Sequence, residues 1–447
     1  MGSSFSKLTG SSMSALDRRT VLKRAGQAGL AVTGASMVGI DGVLASRRVP
    51  AVLQDTEVSG TIKLLMNVTP DYMAGVFGAF NEQHPDVEVQ AEGISSSGWA
   101  DFSDQVVTRV AGGEKFDIVQ IATEGQRLFA SKGLLHPIDE YLARDEVELA
   151  EYFDALPPKF LELTKSVTAG GETYFLPGEF NTMGIWYNSK MFADAGVEEP
   201  ATDWTWDDFH AAATAVLGEE GTFGMHVNGG LFVSVMPWLL TNSASPLNAD
   251  WTEATVDTPE AIEAAQFMRS LVEEGVSPEP GGEFDAYTLM AQDKLAMFGA
   301  GRWPLANIRE LEIVDKVKIA PWPRKTEPGS PIGWKSYPIF EVSENKEAAW
   351  AFAKFMTPPE ASIEIAKLGT EVPPRREAIE SDIFLENSPE GMDVLFKAVD
   401  YATPVPGPDN GAIIQSAIQE TFDQILIGNV DAESALKDLN EDIQSEL

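Results

Sequence analysis

The chain has 447 residues, 44% apolar and 23% charged, which is enough to bury more than one core and excludes a low-complexity chain. It has no cysteine and only 4 histidines, so disulfides, cysteine-ligated metals, a catalytic thiol and a lipid-modified cysteine are excluded. The 69 acidic and 32 basic residues give a net charge of −37, which repels phosphate backbones and excludes nucleic acid as an expected partner.

The N-terminus is typical of a twin-arginine export signal. Arg18 and Arg19 stand directly before a weakly apolar, glycine-rich stretch at 25–44, which is interrupted by polar residues such as Asp41 and is a poor bilayer span. Residues 1–45 are therefore predicted to be a signal peptide that is cleaved after Ala45. We expect a periplasmic or extracellular protein at the cell surface that is not lipid-anchored through cysteine.

The strong acidity lies in the rest of the chain. Residues 1–45 contain five bases and two acids, so the remainder carries −40. One interpretation is a solvated acidic surface that keeps an exported protein soluble and monomeric. The other is adaptation to high salt, where screening relieves self-repulsion. The sequence leaves both open.

The next elements alternate between strand and helix. Apolar runs predict strands at 62–66, 87–91 and 116–121, and the spacing of apolar residues predicts helices at 73–80 and 99–110. This β-α-β-α-β order predicts an α/β fold with a mostly parallel sheet covered by helices on both faces. Ligands of such sheets gather beyond the carboxyl ends of the strands.

The second half is predicted to be rich in helices. After a strand at 184–188, helices are expected at 206–217, 259–274, 343–356 and from 412 to the terminus. Loops with proline and glycine separate them. About 400 residues after the signal suit two domains better than one.

Common catalytic and cofactor motifs are missing from the sequence. Gly299 and Gly301 lack the third glycine of a dinucleotide loop, and phosphate-loop, nucleophile-elbow and zinc-binding motifs do not occur. No cofactor, metal site or catalytic residue is predicted. A carboxylate pair has no motif, however, so a secreted glycoside hydrolase remains an alternative.

Tryptophans in polar loops are the strongest candidate binding residues. Flat amphipathic rings with nearby amides and acids suit the apolar faces and hydroxyls of sugars. The tryptophans beside polar or turn residues are Trp99, Trp238, Trp303, Trp322 and Trp334. Those expected to be core residues are Trp186, Trp206 and Trp350.

Six short stretches occur in an order that resembles the extracellular solute-binding proteins of ABC importers, family 1, the maltose-binding-like group. They are 171–177, 184–188, 205–209, 295–303, 343–350 and 372–375. The resemblance implies a periplasmic-binding-protein-like type II fold, with two α/β lobes, a hinge and an interlobe ligand cleft.

The resemblance also implies a division of the chain into lobes. Crossings near Thr182, Arg324 and Pro373 would assign 58–183 plus 325–372 to an N-terminal lobe, and 184–324 plus 373–447 to a C-terminal lobe. The chain lacks the lipobox cysteine of many relatives, so a free or otherwise retained protein is expected.

The expected function is binding a sugar or related polyol and delivering it to the permease subunits of an importer, without enzymatic activity. Polyamines, phosphodiesters and compatible solutes remain alternative ligands, because the family varies its loops on one scaffold. Trp238 is a candidate from its loop context alone. The cleft residues expected from the resemblance are Asn67, Thr69, Thr123, Glu124, Phe180, Asn181, Trp303, Trp334 and Tyr337.

Overall fold

The computed structural model describes residues 58–447, except 97, 167–170, 219–220 and 282–283. The predicted signal peptide therefore lies outside the described residues. The strands are β1 Gly60–Met66, β2 Val87–Gly93, β3 Ile118–Val119, β4 Ile121–Ala122, β5 Phe180–Thr182, β6 Gly184–Asn188, β7 Met297–Ala300, β8 Val317–Ala320, β9 Ser330–Ser336 and β10 Ala402–Pro404.

Helices make up most of the remaining structure. The α-helices are α1 Ala74–Gln83, α2 Trp99–Ala111, α3 Thr123–Ser131, α4 Asp139–Arg144, α5 Glu146–Ala155, α6 Pro158–Ser166, α7 Ser189–Ala195, α8 Trp206–Ala215, α9 Met236–Leu240, α10 Pro259–Glu273, α11 Ala286–Ala291, α12 Leu305–Glu310, α13 Lys346–Phe355, α14 Pro359–Leu368, α15 Arg376–Ile379, α16 Asp382–Leu385, α17 Val394–Lys397, α18 Gly411–Leu426 and α19 Ala432–Glu446. Shorter helical turns lie at Pro70–Met73, Val314–Lys316, Ala398–Tyr401 and, as a π-helix, Leu231–Val235. Within the described ranges, no helix has both the length and the apolar character to cross a bilayer.

The first sheet has the predicted β-α-β-α-β order. Strand β1 lies between β2 and β3 and pairs in parallel with both, so that Leu64 stands opposite Ala91 and Ile118. Leu64 belongs to a core shared with α1 and α13. The next residue, Leu65, packs with Phe102 of α2 in a separate core. Helices therefore cover both faces of this sheet, as the alternation of side chains along β1 requires.

The predicted strand at 116–121 is two short strands. β3 pairs with β1, whereas β4 leaves the first sheet and pairs antiparallel with β9. Between them, the Gln120 amide donates to the Leu65 carbonyl at 2.8 Å and the Gln120 side chain donates to the Tyr337 hydroxyl at 3.0 Å. The chain changes sheets at Gln120, so one continuous strand is not possible.

The other two sheets are not mostly parallel. In the second, β9 pairs in parallel with β10 and antiparallel with β4 and β5. In the third, β6 pairs antiparallel with both β7 and β8. The prediction of a mostly parallel sheet concerned the strands up to residue 121, and the first sheet confirms it. The third sheet is antiparallel because both neighbours of β6 come from segments that run back against it.

The C-terminal helix is interrupted, contrary to the prediction of one helix from 412. Gly428 has a φ of +74° and follows the end of α18. Glycine adopts this conformation without the steric cost that a Cβ would bring. Asp431 then caps α19 by accepting from the Ser434 amide at 3.0 Å.

The three tryptophans predicted to be core residues are buried, which confirms that prediction. The indole N–H of Trp186 donates to the Gly301 carbonyl at 2.9 Å. Trp206 stacks on Phe267 with ring centroids 4.5 Å apart. Trp350 joins the core of the first sheet.

Helix α3 contacts two segments that are distant in sequence. Arg127 Nη1 donates to the Asp250 carbonyl at 3.0 Å, and the guanidinium carbon lies 4.5 Å from the ring centroid of Trp251. Ser131 Oγ donates to Asp409 Oδ2 at 3.0 Å. These contacts join the first half of the chain to segments of the second half.

Candidate ligand-binding cavity

A cavity of about 410 Å³ lies where segments from many parts of the chain meet. They come from the carboxyl end of β1, the starts of α2 and α3, the strands β5 and β9, the π-helical turn, the loop after β7, and α18. The lining residues are Asn67, Val68, Gly98, Trp99, Ala122, Glu124, Glu179, Phe180, Asn181, Gly230, Leu231, Phe232, Val233, Trp303, Gly333, Trp334, Lys335, Glu371 and Gln415.

Aromatic rings form much of the apolar lining. Trp99, Phe232 and Trp303 are partly exposed, so their rings are available to a ligand. Phe232 and Trp303 lie side by side, with centroids 6.3 Å apart and planes at 41°. Trp334 is 1% exposed and packs edge-on against Phe160. Trp334 thus closes the cavity wall from within the core and offers little surface.

A buried ion pair lies at one side of the cavity. Lys335 Nζ is 2.5 Å from Glu371 Oε1, and both side chains are 9% exposed. Tyr72 and Thr370 also donate their hydroxyls to Glu371. Burial alone would raise the pKa of Glu371, but the charge and hydrogen bond of Lys335, with the two hydroxyls, hold that pKa below its usual value. The Lys335 ammonium also lies 5.4 Å from the ring centroid of Trp99.

Glu179 is a buried carboxyl with one oxygen in use. Its Oε1 accepts from the Tyr337 hydroxyl at 2.7 Å, and its Oε2 has no partner. Burial raises the pKa of Glu179; the charge of Lys335 lowers it and that of Glu371 raises it further. Tyr337, an expected cleft residue, is buried behind Glu179 and is outside the cavity lining. Its hydroxyl orients the carboxyl.

Glu124 is a second carboxyl in the lining, in the first turn of α3. It is 8% exposed, and its Oε2 has no partner. Burial raises the pKa of Glu124 to about 7, although a hydrogen bond from its own backbone amide opposes this. The side-chain amide nitrogen of Gln415, also in the lining, likewise has no partner.

Thr123 and Thr69, both expected cleft residues, are not in the cavity lining. Thr123 is completely buried, and its hydroxyl accepts from the Trp334 amide at 3.0 Å. That bond fixes the start of α3 against β9 and thereby places Glu124. Thr69 is exposed at the start of the helical turn after β1. Asn67 does line the cavity, and its Oδ1 accepts from the Ser96 hydroxyl.

Asn181 lines the cavity, but both ends of its amide are already bonded. Its Oδ1 accepts from the Arg302 amide at 2.8 Å, and its Nδ2 donates to the Thr370 carbonyl at 3.1 Å. The preceding residue, Phe180, exchanges two backbone hydrogen bonds with Val372. Asn181 therefore connects three segments around the cavity, and each end of its amide keeps one further hydrogen-bonding position.

Trp238 lies outside the lining, in an aromatic cluster of the core. It is fully buried and packs edge-on against Trp206 at 5.5 Å and Trp322 at 5.1 Å. Its position in α9 directs the ring inward, although polar residues follow in sequence. The structure thus brings together Asn67, Glu124, Phe180, Asn181, Trp303 and Trp334 at the cavity, and places Thr69, Thr123, Trp238 and Tyr337 elsewhere.

Five lining residues with charged, amide or aromatic side chains were missed by the sequence analysis. Glu179, Lys335 and Glu371 are each within two residues of a predicted site or crossing, so sequence proximity was a usable signal. Phe232 lies in an apolar run, and Gln415 in an ordinary helix pattern, and neither gives such a signal. The missed residues are Glu179, Phe232, Lys335, Glu371 and Gln415.

Comparison with known proteins finds a matching family and relatives of this chain. A family model described as bacterial extracellular solute-binding protein matches residues 67–363. A maltotriose-binding protein of Pyrococcus abyssi is 24% identical over 410 residues, covering 86% of this chain and 82% of the relative.

Solved structures have the same fold. ABC substrate-binding protein Lmo0181 of Listeria monocytogenes, in complex with cycloalternan, has a TM-score of 0.77 at 23% identity, covering 87% of this chain and 99% of that chain. Maltose-bound MalE3 of T. maritima has a TM-score of 0.75 at 22% identity, covering 87% and 100% respectively. These likenesses confirm the predicted periplasmic-binding-protein-like type II fold of two α/β lobes. Because the family model spans well over half of the chain, the chain belongs to the bacterial extracellular solute-binding protein family.

Proposed function

We propose that this protein is the extracytoplasmic substrate-binding component of an ABC importer, which binds a carbohydrate or related polyol and delivers it to the permease without chemically changing it. Membership of the solute-binding family supports the general role. The carbohydrate assignment draws further support from relatives whose own names or titles mention maltotriose, maltose and cycloalternan.

The observation that carries the proposal is the combination of aromatic rings and unpartnered polar atoms in one cavity. Glu124 Oε2, Glu179 Oε2 and Gln415 Nε2 are buried without a hydrogen-bond partner, beside the partly exposed rings of Trp99 and Trp303. Buried polar atoms are nearly always bonded in native proteins. A sugar would supply both hydroxyls for these atoms and an apolar face for the rings.

The cavity also suits a mechanism of lobe closure. We propose lobes of 58–183 plus 325–372 and of 184–324 plus 373–447. Under this division, Glu124 and Trp99 come from the first lobe, while Trp303 and Gln415 come from the second. A ligand that contacts both lobes binds the closed form more tightly than the open form, and that difference drives closure.

The test begins with native mass spectrometry of protein purified from its own host, to identify a retained solute. Calorimetry with that solute then compares wild type with Trp303→Ala. Loss of the ring removes stacking and buried area, so we expect a cost of about 2 kcal/mol, or roughly thirtyfold in affinity. Tyr174→Ala is the control, because Tyr174 is a partly exposed aromatic residue outside the lining.

Four results would each contradict a part of the proposal. A retained solute that is not a carbohydrate or polyol would remove the ligand assignment. A carbohydrate that is cleaved on incubation with the protein would favour the hydrolase alternative. Unchanged affinity in Trp303→Ala would show that Trp303 does not contribute to binding. If small-angle scattering detects no decrease in the radius of gyration when the solute binds, the closure mechanism is wrong.

A further inference from the structure

The charges in the cavity lining do not balance. Its charged side chains, among the residues that the structure describes, are Glu124, Glu179, Lys335 and Glu371. Lys335 is paired with Glu371 at 2.5 Å. Glu371 also accepts hydrogen bonds from two hydroxyls, so the charges of this pair are compensated without a ligand. Two carboxyls then share the cavity; Glu179 has only the already paired Lys335 near it, and no cation acts on Glu124.

Neither of these carboxyls finds a cation elsewhere. No ion pair is formed by Glu124 or Glu179 among the described residues, and each has an unpartnered Oε2 while at most 8% exposed. Arg127 follows Glu124 by three residues on α3, but its guanidinium donates to Asp250 and covers the ring of Trp251. Arg127, the basic residue nearest to Glu124 in sequence, therefore interacts with residues outside the cavity lining.

Both carboxyls face a cavity with aromatic walls. Trp99, Phe232 and Trp303 present partly exposed rings there. A ring face attracts a cation, and a buried carboxylate gains most from a charged donor. Neutral hydroxyls could bond to the same oxygens, but only an ammonium group would also compensate the negative charge of these carboxyls in their ionised form.

We propose that the ligand carries a protonated amino group, which binds between Glu124 and Glu179 while the rings cover the rest of the molecule. This inference rests on the proposed function and narrows it: the substrate class is an amino-substituted sugar. A polyamine also carries ammonium groups but has no sugar ring to lie against the aromatic side chains. The experiment therefore tests a polyamine separately.

The proposal predicts a distinctive pH dependence. The charges of Lys335 and Glu371 and the hydroxyl of Tyr337 act on the pKa of Glu179. The pKa of Glu124 is affected only by burial and by a hydrogen bond from its own backbone amide. With a pKa of about 7, the unliganded Glu124 carboxyl is protonated below neutral pH and charged above it. An ammonium ligand binds only the charged form well, so its affinity rises from about pH 5.5 to pH 7.5. A neutral sugar has no such requirement.

The experiment compares sugars that differ only in an amino group. Calorimetry measures glucose against glucosamine, galactose against galactosamine, and cellobiose against the chitosan disaccharide, with spermidine as the polyamine arm. We expect at least one amino sugar to bind about tenfold or more tightly than its neutral counterpart at pH 7.5. That advantage falls at pH 5.5.

Isosteric variants locate the effect. Glu124→Gln and Glu179→Gln keep the side-chain shape and remove the charge, so each lowers affinity for the amino sugar about tenfold more than it lowers affinity for the neutral counterpart. Glu420→Gln is the matched control, because Glu420 is exposed on α18 and outside the lining.

The possible results separate this inference from the proposed function. Equal or tighter binding of neutral sugars overturns the amino-group inference and leaves carbohydrate binding intact. Binding of spermidine without any sugar overturns the carbohydrate assignment. Failure of every amine to bind, or an amino-sugar advantage that survives both variants, overturns the inference as well.

Discussion

The buried pair of Lys335 and Glu371 gives the sharpest prediction about stability. Lys335→Met keeps the length and apolar stem of the side chain and removes the ammonium, so Glu371 is left as a buried charge. Breaking a buried pair from one side typically costs about 3–5 kcal/mol. Tyr72 and Thr370 would still donate to Glu371. We therefore expect a loss near the lower end, about 3 kcal/mol of unfolding free energy at pH 7.

The sign of the pH dependence follows from the pKa of Glu371, which the pair holds below its usual value. In wild type, this contribution is present above the unfolded pKa and is lost as the pH falls through the lower folded pKa. In Lys335→Met, burial is no longer opposed by the ammonium, so the folded pKa rises. Acidification then protonates Glu371 more readily than in wild type, and the deficit of the variant shrinks.

Urea denaturation, followed by both tryptophan fluorescence and circular dichroism, measures these differences. Lys318→Met is the control, since Lys318 pairs with a more exposed partner, Glu199, at 2.8 Å, and its loss should cost at most about 1 kcal/mol. In Lys335→Met with Glu371→Gln, neither member of the pair is left as a buried charge, so the double variant should be more stable than Lys335→Met alone. A double variant at least as unstable as the sum of the singles, or a deficit that grows on acidification, would refute the reasoning.

Two further predictions concern the whole chain. Residues 46–447 carry −40, so screening should stabilise the protein; we expect melting temperatures to rise from low to molar NaCl, and a flat or falling series would contradict this. Replacing Arg18 and Arg19 together by Lys should stop export and the appearance of a mature form beginning near Ser46, as followed by fractionation; undiminished export would show that the arginine pair is not a signal.

Local patterns predicted the first sheet well because its strands and helices alternate within about 60 residues. The second and third sheets were not predictable in this way, since β6 and β9 take their neighbours from distant segments. The same distinction applies to the cavity. Trp303 stood out by its local context, whereas the role of Glu179 depends on Tyr337 and Lys335, which only the fold brings near.

Asn181 illustrates the limit of assigning roles by position. A polar residue at a crossing is a reasonable candidate for ligand contact, and it does reach the cavity. Each end of its amide, however, already holds one backbone hydrogen bond, to Arg302 and to Thr370. Sequence indicates where such a residue lies along the chain, but its free hydrogen-bonding groups depend on partners that are more than 100 residues away.

The contacts of Arg127 with 250–251, and of Ser131 with Asp409, have a kinetic consequence. Under the proposed division they join the two lobes without a solute, so they favour closure in the empty protein as well. Solute can then enter only during openings, so its association rate is reduced in proportion to the open fraction. The same contacts lengthen the time that a bound solute is retained. Release at the membrane therefore requires the permease to compensate for the loss of these contacts as well as for those of the solute.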